Sequence, residues 1–365
     1  MSVFAGLPEE KHILARGPSK CLVTLKNGLD ADLRVLPPRE FGAGLYYFTG
    51  SKSHNVATRT MAVKKGLTVS EYGIFRGTKE KKGKYVAGRT EEEVFKTLGL
   101  DFIPPELREN AGEIEAALKH KLPKLITEKD IQGDLHLHST WSDGGESILE
   151  MIRATKERGL KYMAITDHAS AMGMVKGLKK ENFAKYIKEV RTTGKRVSGI
   201  QVLAGAEVDI LPNGALYLPD AILKKLDWVL AAVHGSFKMN KAEMTKRIIK
   251  ALENPYVHGL AHPTIRLLQK RPLIDFDVEE VIKTAAKFKK VLELDGSPYR
   301  LDLNDVHCRL AKEHGVKIVI DSDAHSLEEL DLRYGIATAR RGWLEKGDVL
   351  NTWPYEKVKK WLGRG

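Results

Sequence analysis

The chain holds only two cysteines in 365 residues, Cys21 and Cys308. So few, and so far apart, they argue against a disulfide scaffold and suit a reducing cytoplasm. No run of about 18 apolar residues occurs, which argues against a membrane-spanning helix. A basic stretch followed by an apolar one is also missing from the N-terminus, so no secretory leader is expected. Nor does an isolated charged tail exist. Before residue 133 there are 22 Lys and Arg against 17 Asp and Glu, and from there on 38 against 31, so the net charge of +12 is spread over both parts. A basic balance favours an anionic partner such as nucleic acid, although Lys- and Glu-rich soluble proteins reach it without one. With 42% hydrophobic and 30% charged residues, the composition is that of a globular protein with one large and one smaller domain.

Four segments follow one another: 1–48, 49–103, 104–132 and 133–365. The first is strand-like. Cys21-Leu-Val-Thr-Leu and Ala31-Asp-Leu-Arg-Val-Leu are joined by Asn27-Gly28, a hairpin signal, and Pro37-Pro38 closes the second strand. Helical spacing begins beyond Gly50, over Val56–Lys65, with Gly66 as C-cap. Tyr72–Ala87 is Lys-rich and short-stranded, and Thr90 opens a helix with three acids in its first turn. Residues 104–132 make a linker carrying a short helix around Ala111–Lys119. After residue 133 the rhythm is strand, loop, helix. Strands are expected at Gly133–His138, Tyr162–Thr166, Gln201–Glu207, Trp228–Val233, Val257–Ala261, Val291–Leu294 and Lys317–Asp321, with helices at Ser147–Arg158, Glu181–Arg191, Lys241–Leu252 and Val278–Lys287. Seven such units in this length suit a closed or nearly closed parallel α/β barrel.

Nearly all these strands end in candidate metal ligands. Alternate residues of a strand point to one face, so His136 and His138 in Gly133-Asp-Leu-His-Leu-His project together, with Asp143 on the following loop. Alone, the motif would be satisfied by two surface histidines. The second strand, however, ends at His168, the third at Glu207, the fourth at His234, the fifth at His262, and the last runs into Asp323-Ala-His325. Barrel active sites form at the C-terminal ends of the strands. Nine ligands are too many for one ion and about right for three, and imidazole with carboxylate suits borderline divalent metals. Three such ions outweigh the charge of Asp143, Glu207 and Asp323, leaving an excess that suits an anionic substrate and phosphate-ester hydrolysis by a metal-activated water. His12, His54, His120, His258, His307 and His314 lack this context.

His136-x-His138, Ser142-Asp143-Gly144, Thr166-Asp167-His168, Glu207, His234, His262-Pro263 and Asp323-Ala-His325 together resemble the PHP (polymerase and histidinol phosphatase) family, over residues 133 to about 345. The resemblance implies a distorted seven-stranded (β/α) barrel with three divalent ions, zinc or manganese. One ion would take His136, His138, Glu207 and Asp323; a second would share Glu207 with His234 and His262; a third would take Asp143, His168 and His325. Glu207, His234 and Asp323 would then be catalytic, and Arg266, just past His262-Pro263, is a candidate phosphate clamp.

Ahead of the barrel, Asp30-Ala-Asp32-Leu-Arg-Val and Tyr46-Tyr-Phe-Thr49-Gly50-Ser51-Lys-Ser-His-Asn55 with Arg59 resemble the palm–thumb junction of family X DNA polymerases. Glu71-Tyr-Gly and Pro104-Pro-Glu-Leu-Arg-Glu continue the likeness to the bacterial and archaeal type, which carries a C-terminal PHP domain. The resemblance makes 1–48 a partial palm and 49–103 a thumb-like domain, a small α+β remnant before the barrel. It implies that Thr49, Gly50 and Ser51 approach a nucleotide, that Asn55 contacts it and that Arg59 meets a template strand, with Lys79–Lys84 a further phosphate-binding cluster. Asp32 matches a catalytic aspartate, but the Asp-x-Asp pair that should precede it is absent, so an N-terminally truncated chain without polymerase activity is expected. The expected function is a metal-dependent 3′→5′ exonuclease on DNA in repair, cytoplasmic and without an obligate protein partner. The alternatives are a phosphomonoesterase, of histidinol-phosphatase or DNA 3′-phosphatase type, and a non-catalytic DNA-binding accessory.

Overall fold

The computed structural model describes residues 1–78, 81–170 and 177–363, the side chain of Lys82 apart. The chain divides into two compact units, Met1–Leu122 and Pro123–Gly365. None of the described helices is long and apolar enough to cross a membrane.

Unit one contains two antiparallel three-stranded sheets. The first is β1 (Glu10–Arg16), β2 (Lys20–Leu25) and β3 (Asp30–Arg34), with β2 and β3 paired in register from Lys20–Arg34 to Thr24–Asp30 around the Asn27-Gly28 turn. Helix α1 (Phe41–Thr49) follows, then α2 (Lys52–Lys64), the second sheet β4 (Leu67–Ser70), β5 (Gly73–Gly77) and β6 (Lys82–Ala87), then α3 (Glu91–Leu98) and α4 (Glu113–Leu118). One element corrects the sequence reading: residues 41–49, read as strand-like, form a helix, whereas β1 lies within the strand-like segment although it was not named as a strand. Aromatic residues and glycines favour neither assignment on propensity, but Gly42 lets α1 press against the start of α3: a Cβ there would lie 2.2 Å from the Thr90 backbone. In 104–132, Leu107, Ile114 and Ala117 are buried. The Glu113 carboxylate accepts from the Asn110 and Ala111 amides and meets His54 Nδ1 at 2.6 Å.

Unit two alternates β7 (Gly133–Leu137), α5 (Ile148–Glu157), β8 (Tyr162–Ile165), the two-residue β9 (His168–Ala169), α6 (Phe183–Gly194), β10 (Gln201–Asp209), α7 (Asp220–Leu223), β11 (Trp228–Ala232), α8 (Lys241–Leu252), β12 (Gly259–Leu260), α9 (Val278–Lys287), β13 (Val291–Asp295), α10 (Asp305–Glu313), β14 (Ile318–Asp321), α11 (Arg333–Arg341) and α12 (Tyr355–Leu362). The strands run parallel in the order β14-β13-β12-β11-β10-β8-β7, with β9 beside β10. A parallel bridge from Leu137 to Ala324, with the His138 amide donating to Ala324 at 3.0 Å, draws the two edges together into a nearly closed seven-stranded barrel.

The strands are buried on both faces, as parallel strands under helices must be. Outward residues such as Ala206, Val208, Leu292 and Ile320 join the large core beneath the helices. Inward residues change character along each strand. Leu203, Trp228, Val291 and Val319 fill the N-terminal end with Leu350 and Val358, while Glu207, Glu293 and Asp321, one or two inward positions further on, are equally buried and charged. This period-two pattern concentrates the strand-borne acids and histidines at one end of the barrel.

Gly133 opens the strand that carries His136 and His138, and a Cβ there would lie 2.1 Å from the Tyr162 ring. Overpacking of this kind costs about 1–3 kcal/mol. Gly133→Ala is therefore expected to lower the unfolding free energy by that amount, measured against wild type by equilibrium denaturant unfolding; an unchanged unfolding free energy would remove this packing argument.

Candidate metal centre

Glu207, near the end of β10, is fully buried, and its carboxylate is the hub of the site. Oε1 lies 2.7 Å from His262 Nε2 and 3.0 Å from His234 Nε2. Oε2 lies 2.7 Å from His168 Nδ1, 3.5 Å from His136 Nε2 and 3.8 Å from His138 Nε2. Asp323 Oδ1 stands 3.1 Å from His138 Nε2 and 3.3 Å from His136 Nε2. Asp143 completes the set, 3.4 Å from His168 Nε2, 3.5 Å from His325 Nε2 and 3.9 Å from His138 Nδ1. All nine residues singled out at the strand ends thus converge.

Among the described residues, three groups could each hold a cation: His138, Asp143, His168 and His325; His136, His138 and Asp323; and His168, Glu207 and His234. Atoms about 2.0–2.2 Å from one ion lie within about 4.4 Å of each other, which these separations match. The sharing differs from the expected partition, because His138 and His168 each stand between two groups. Several buried atoms at the centre (His136 Nε2, His138 Nδ1, His168 Nδ1 and Glu207 Oε2) make no well-aligned hydrogen bond, the 2.7 Å approach of His168 Nδ1 to Glu207 Oε2 included. Buried polar atoms are normally satisfied, so a set of them facing one another fits cation binding.

Carboxylates behind the histidines orient them. Glu293 Oε1 holds His136 Nδ1 at 2.6 Å, and Asp209 Oδ1 holds His234 Nδ1 at 2.7 Å. Each leaves Nε2 turned toward the centre, the usual arrangement behind metal-binding imidazoles. Asp167 accepts from the amides and hydroxyls of both Ser139 and Ser142, fixing the loop that carries Asp143. Gly144 permits its close return: a Cβ there would sit 2.7 Å from the His138 backbone. Asp323 adopts φ +52°, a left-handed conformation that aspartate tolerates better than most residues.

Arg266 corrects the sequence reading. Its guanidinium donates to the carbonyls of Arg300 (2.7 Å) and Leu301, so it braces that loop instead of presenting a free fork. Arg300, which the sequence did not single out, is the arginine at the centre. Its Nε lies 3.1 Å from Asp295 and 3.5 Å from Asp323, and its buried Nη1 has no partner. Asp209 and Glu293 were also missed, although Asp209 stands two residues from Glu207 on the same strand and Glu293 is an inward, buried position of β13.

In unit one, Thr49 is exposed at the end of α1 and Ser51 caps α2 through the His54 amide. Asn55 donates to the carbonyls of Tyr47 (2.9 Å) and Gly50 (3.0 Å), which fixes the turn between the helices. Arg59 is half-buried. Asp32 is paired bidentately with Arg34 at 2.9 and 2.7 Å. In the Lys79–Lys84 cluster, residues 79 and 80 lie outside the described residues, while Lys81 and Lys84 are exposed.

The charges couple strongly. Burial alone would raise Glu207, but His234, His168 and His136 hold it well below the usual carboxylate range. Burial would likewise depress His168, yet Glu207 and Asp143 bring it up to about 10. His138, buried and flanked by His325 and His168, is pushed well down. The raised His168 stabilises the metal-free fold fully below about pH 6.5, and that contribution is lost as pH rises toward 10. A cation must displace the same proton. Manganese or zinc uptake at pH 7 is therefore expected to release protons and to tighten with rising pH, measured by calorimetry in two buffers of different ionisation enthalpy. Uptake without proton release and independent of pH would contradict these assignments.

Comparison with known proteins places this geometry. The DNA polymerase beta thumb family profile matches residues 44–109 and the PHP domain profile matches 134–298. The DNA polymerase/3′-5′ exonuclease PolX of Bacillus subtilis is 38% identical over 361 residues, 98% of this chain, and the chain spans 62% of that relative's length. A probable phosphatase of Thermoanaerobacter sp. is 31% identical over 241 residues, covering 63% of this chain and 93% of the relative. A histidinol phosphate phosphatase from Lactococcus lactis, solved with zinc, L-histidinol and phosphate, overlaps 60% of this chain and 94% of its own at 16% identity and a TM-score of 0.43, a likeness too slight to bear on mechanism. The chain belongs to the PHP-domain family, with a DNA polymerase beta thumb segment ahead of its PHP barrel.

Proposed function

We propose that the chain is a metal-dependent phosphoesterase that removes nucleotides from the 3′ end of DNA. The observation that carries the reading is Glu207, buried among five histidines and bordered by Asp143 and Asp323. His136, His138 and Asp323, with Glu207, would hold one divalent ion; Glu207, His234 and His262 a second; Asp143, His168 and His325 a third, zinc or manganese being the metals these donors favour. Bound there, such ions supply a water of lowered pKa and neutralise charge gathering on phosphorus.

The chain's own side chains set the direction of approach. Asp143, His325 and His234 are the ligands with exposed surface, so the phosphodiester enters from their side. Three carboxylates return half the charge of three divalent ions, leaving a site that attracts an anion. Arg300 Nη1 is placed to bind a phosphoryl oxygen, the role first read for Arg266, while its bonds to Asp295 and Asp323 keep the guanidinium from swinging away. Glu293 and Asp209 hold His136 and His234 against rotation.

Support for DNA as substrate comes from unit one, whose thumb match contains Thr49, Gly50, Ser51, Asn55 and Arg59, and from the PolX relative. Arg59, Lys81 and Lys84 would contact phosphates, without regard to sequence. The identity to a probable phosphatase over most of that protein's length favours a second reading, removal of a terminal phosphate at the same centre.

Loss of even an outer carboxylate behind a metal ligand costs about 10–100-fold in metal affinity or activity. Glu207→Gln, which alters a ligand of two of the three proposed ions, is expected to reduce nucleotide release by at least that factor, followed on a 5′-labelled strand with added Mn²⁺. Wild-type release from a 3′-hydroxyl strand should exceed phosphate release from a 3′-phosphate strand. Unimpaired E207Q turnover would sink the metal mechanism, and the reverse preference would favour the phosphatase.

A further inference from the structure

Beside the metal centre lies a cleft of about 380 Å³ that the mechanism so far leaves unused. Arg300, Asp323 and His325 form its inner wall, so it is continuous with the proposed site. Its outer wall carries two large aromatic side chains, Tyr299 and Tyr334, which are 63% and 48% exposed. Exposed aromatics beside a polar centre call for an explanation, because burying such rings is normally favourable.

Both rings stand on fixed backbone. The Leu268 amide donates to the Tyr299 carbonyl at 2.7 Å and the Arg300 amide to Ser297 at 2.9 Å, pinning the loop. Tyr334 lies in the first turn of α11. The rim carries the carboxylates Glu328, Glu329 and Asp331, with Lys270 Nζ 5.8 Å from the centre of the Tyr299 ring. Glu329 accepts from the His325 amide at 2.8 Å and Asp331 pairs with Arg333 at 2.6 Å, so both are set in place.

These features choose among parts of a nucleic-acid substrate. A carboxylate rim next to a cation-rich centre disfavours a second phosphate, so the continuing strand does not run through the cleft. An uncharged aromatic base with a hydroxyl-bearing sugar suits it: the rings offer stacking and the carboxylates accept from the hydroxyl. The volume falls within the range of about 300–1,000 Å³ typical of small-ligand sites. We infer that this cleft is the subsite for the terminal nucleoside, with its base stacked on Tyr299 and flanked by Tyr334, while its 5′-phosphate lies at the metal centre. The inference rests on the exonuclease reading and adds to it a residue that recognises the base.

The test compares two 5′-labelled strands, one ending in an ordinary 3′ nucleotide and the other in an abasic residue. Stacking on an aromatic side chain raises affinity roughly ten- to hundredfold per base, so wild type should favour the ordinary end by that ratio of kcat/KM. Tyr299→Ala should abolish the preference and Tyr299→Trp should keep it. Because each ratio is taken within one protein preparation, partial misfolding of a variant does not alter it. If wild type shortens both strands equally, or Y299A keeps the wild-type ratio, the base subsite is wrong while the exonuclease reading stands. If wild type shortens neither strand but hydrolyses a small amine-bearing phosphate ester, the exonuclease reading falls and the subsite with it.

Discussion

Glu207 has no exposed surface, and its two oxygens lie between 2.7 and 3.8 Å from five histidines. A carboxylate removed from water is strongly destabilising unless opposite charge and hydrogen bonds surround it. The neighbours that could compensate it are imidazoles, which neutralise the carboxylate only by binding protons or by sharing a cation with it. The barrel supplies this environment by turning inward residues from apolar to charged along each strand. Its closed lower end, with Trp228 and Leu350, gives the cluster a rigid floor. Glu293, Asp209 and Asp167 continue the same logic outward, since each fixes a ligand or a ligand-bearing loop.

Much of this was legible in the sequence because parallel strands and metal sites leave strong, independent marks. Helices Lys241–Leu252 and Val278–Lys287 carry clear helical periodicity and appear with those same bounds. The nine candidate ligands were legible because each lies in a strand or on the loop that follows it. Residues that act through another residue leave no such mark. Glu293 sits within Val291-Leu-Glu-Leu-Asp, where only inward parity distinguishes it from a solvated acid. Arg300 and Arg266 exchange roles because loop geometry decides which guanidinium faces the centre, and no spacing rule encodes that. Helix α1 was misread for a related reason: Gly42 is used for contact with the start of α3 and Gly44 for contact with Leu36, tertiary demands invisible in local propensity.

Unit one shows how far a motif can be read as function. Asn55 and Ser51 both serve the turn between α1 and α2, one by holding carbonyls and the other by capping a helix. Structural duties of this kind are compatible with a surface that also approaches DNA, because a fixed turn is what lets backbone reach a ligand closely. Asp32, by contrast, has both oxygens on Arg34. The proposed labour is thus divided between holding a strand, in unit one, and cutting it, in the barrel.

The claim on which the rest depends is that Glu207 and the eight side chains around it hold several divalent ions. Anomalous diffraction from crystals grown with Mn²⁺ tests it directly. The account predicts three peaks, one within each of the groups containing Asp143, Asp323 and Glu207. A map with no peak among these residues, or with metal bound only elsewhere, would contradict it.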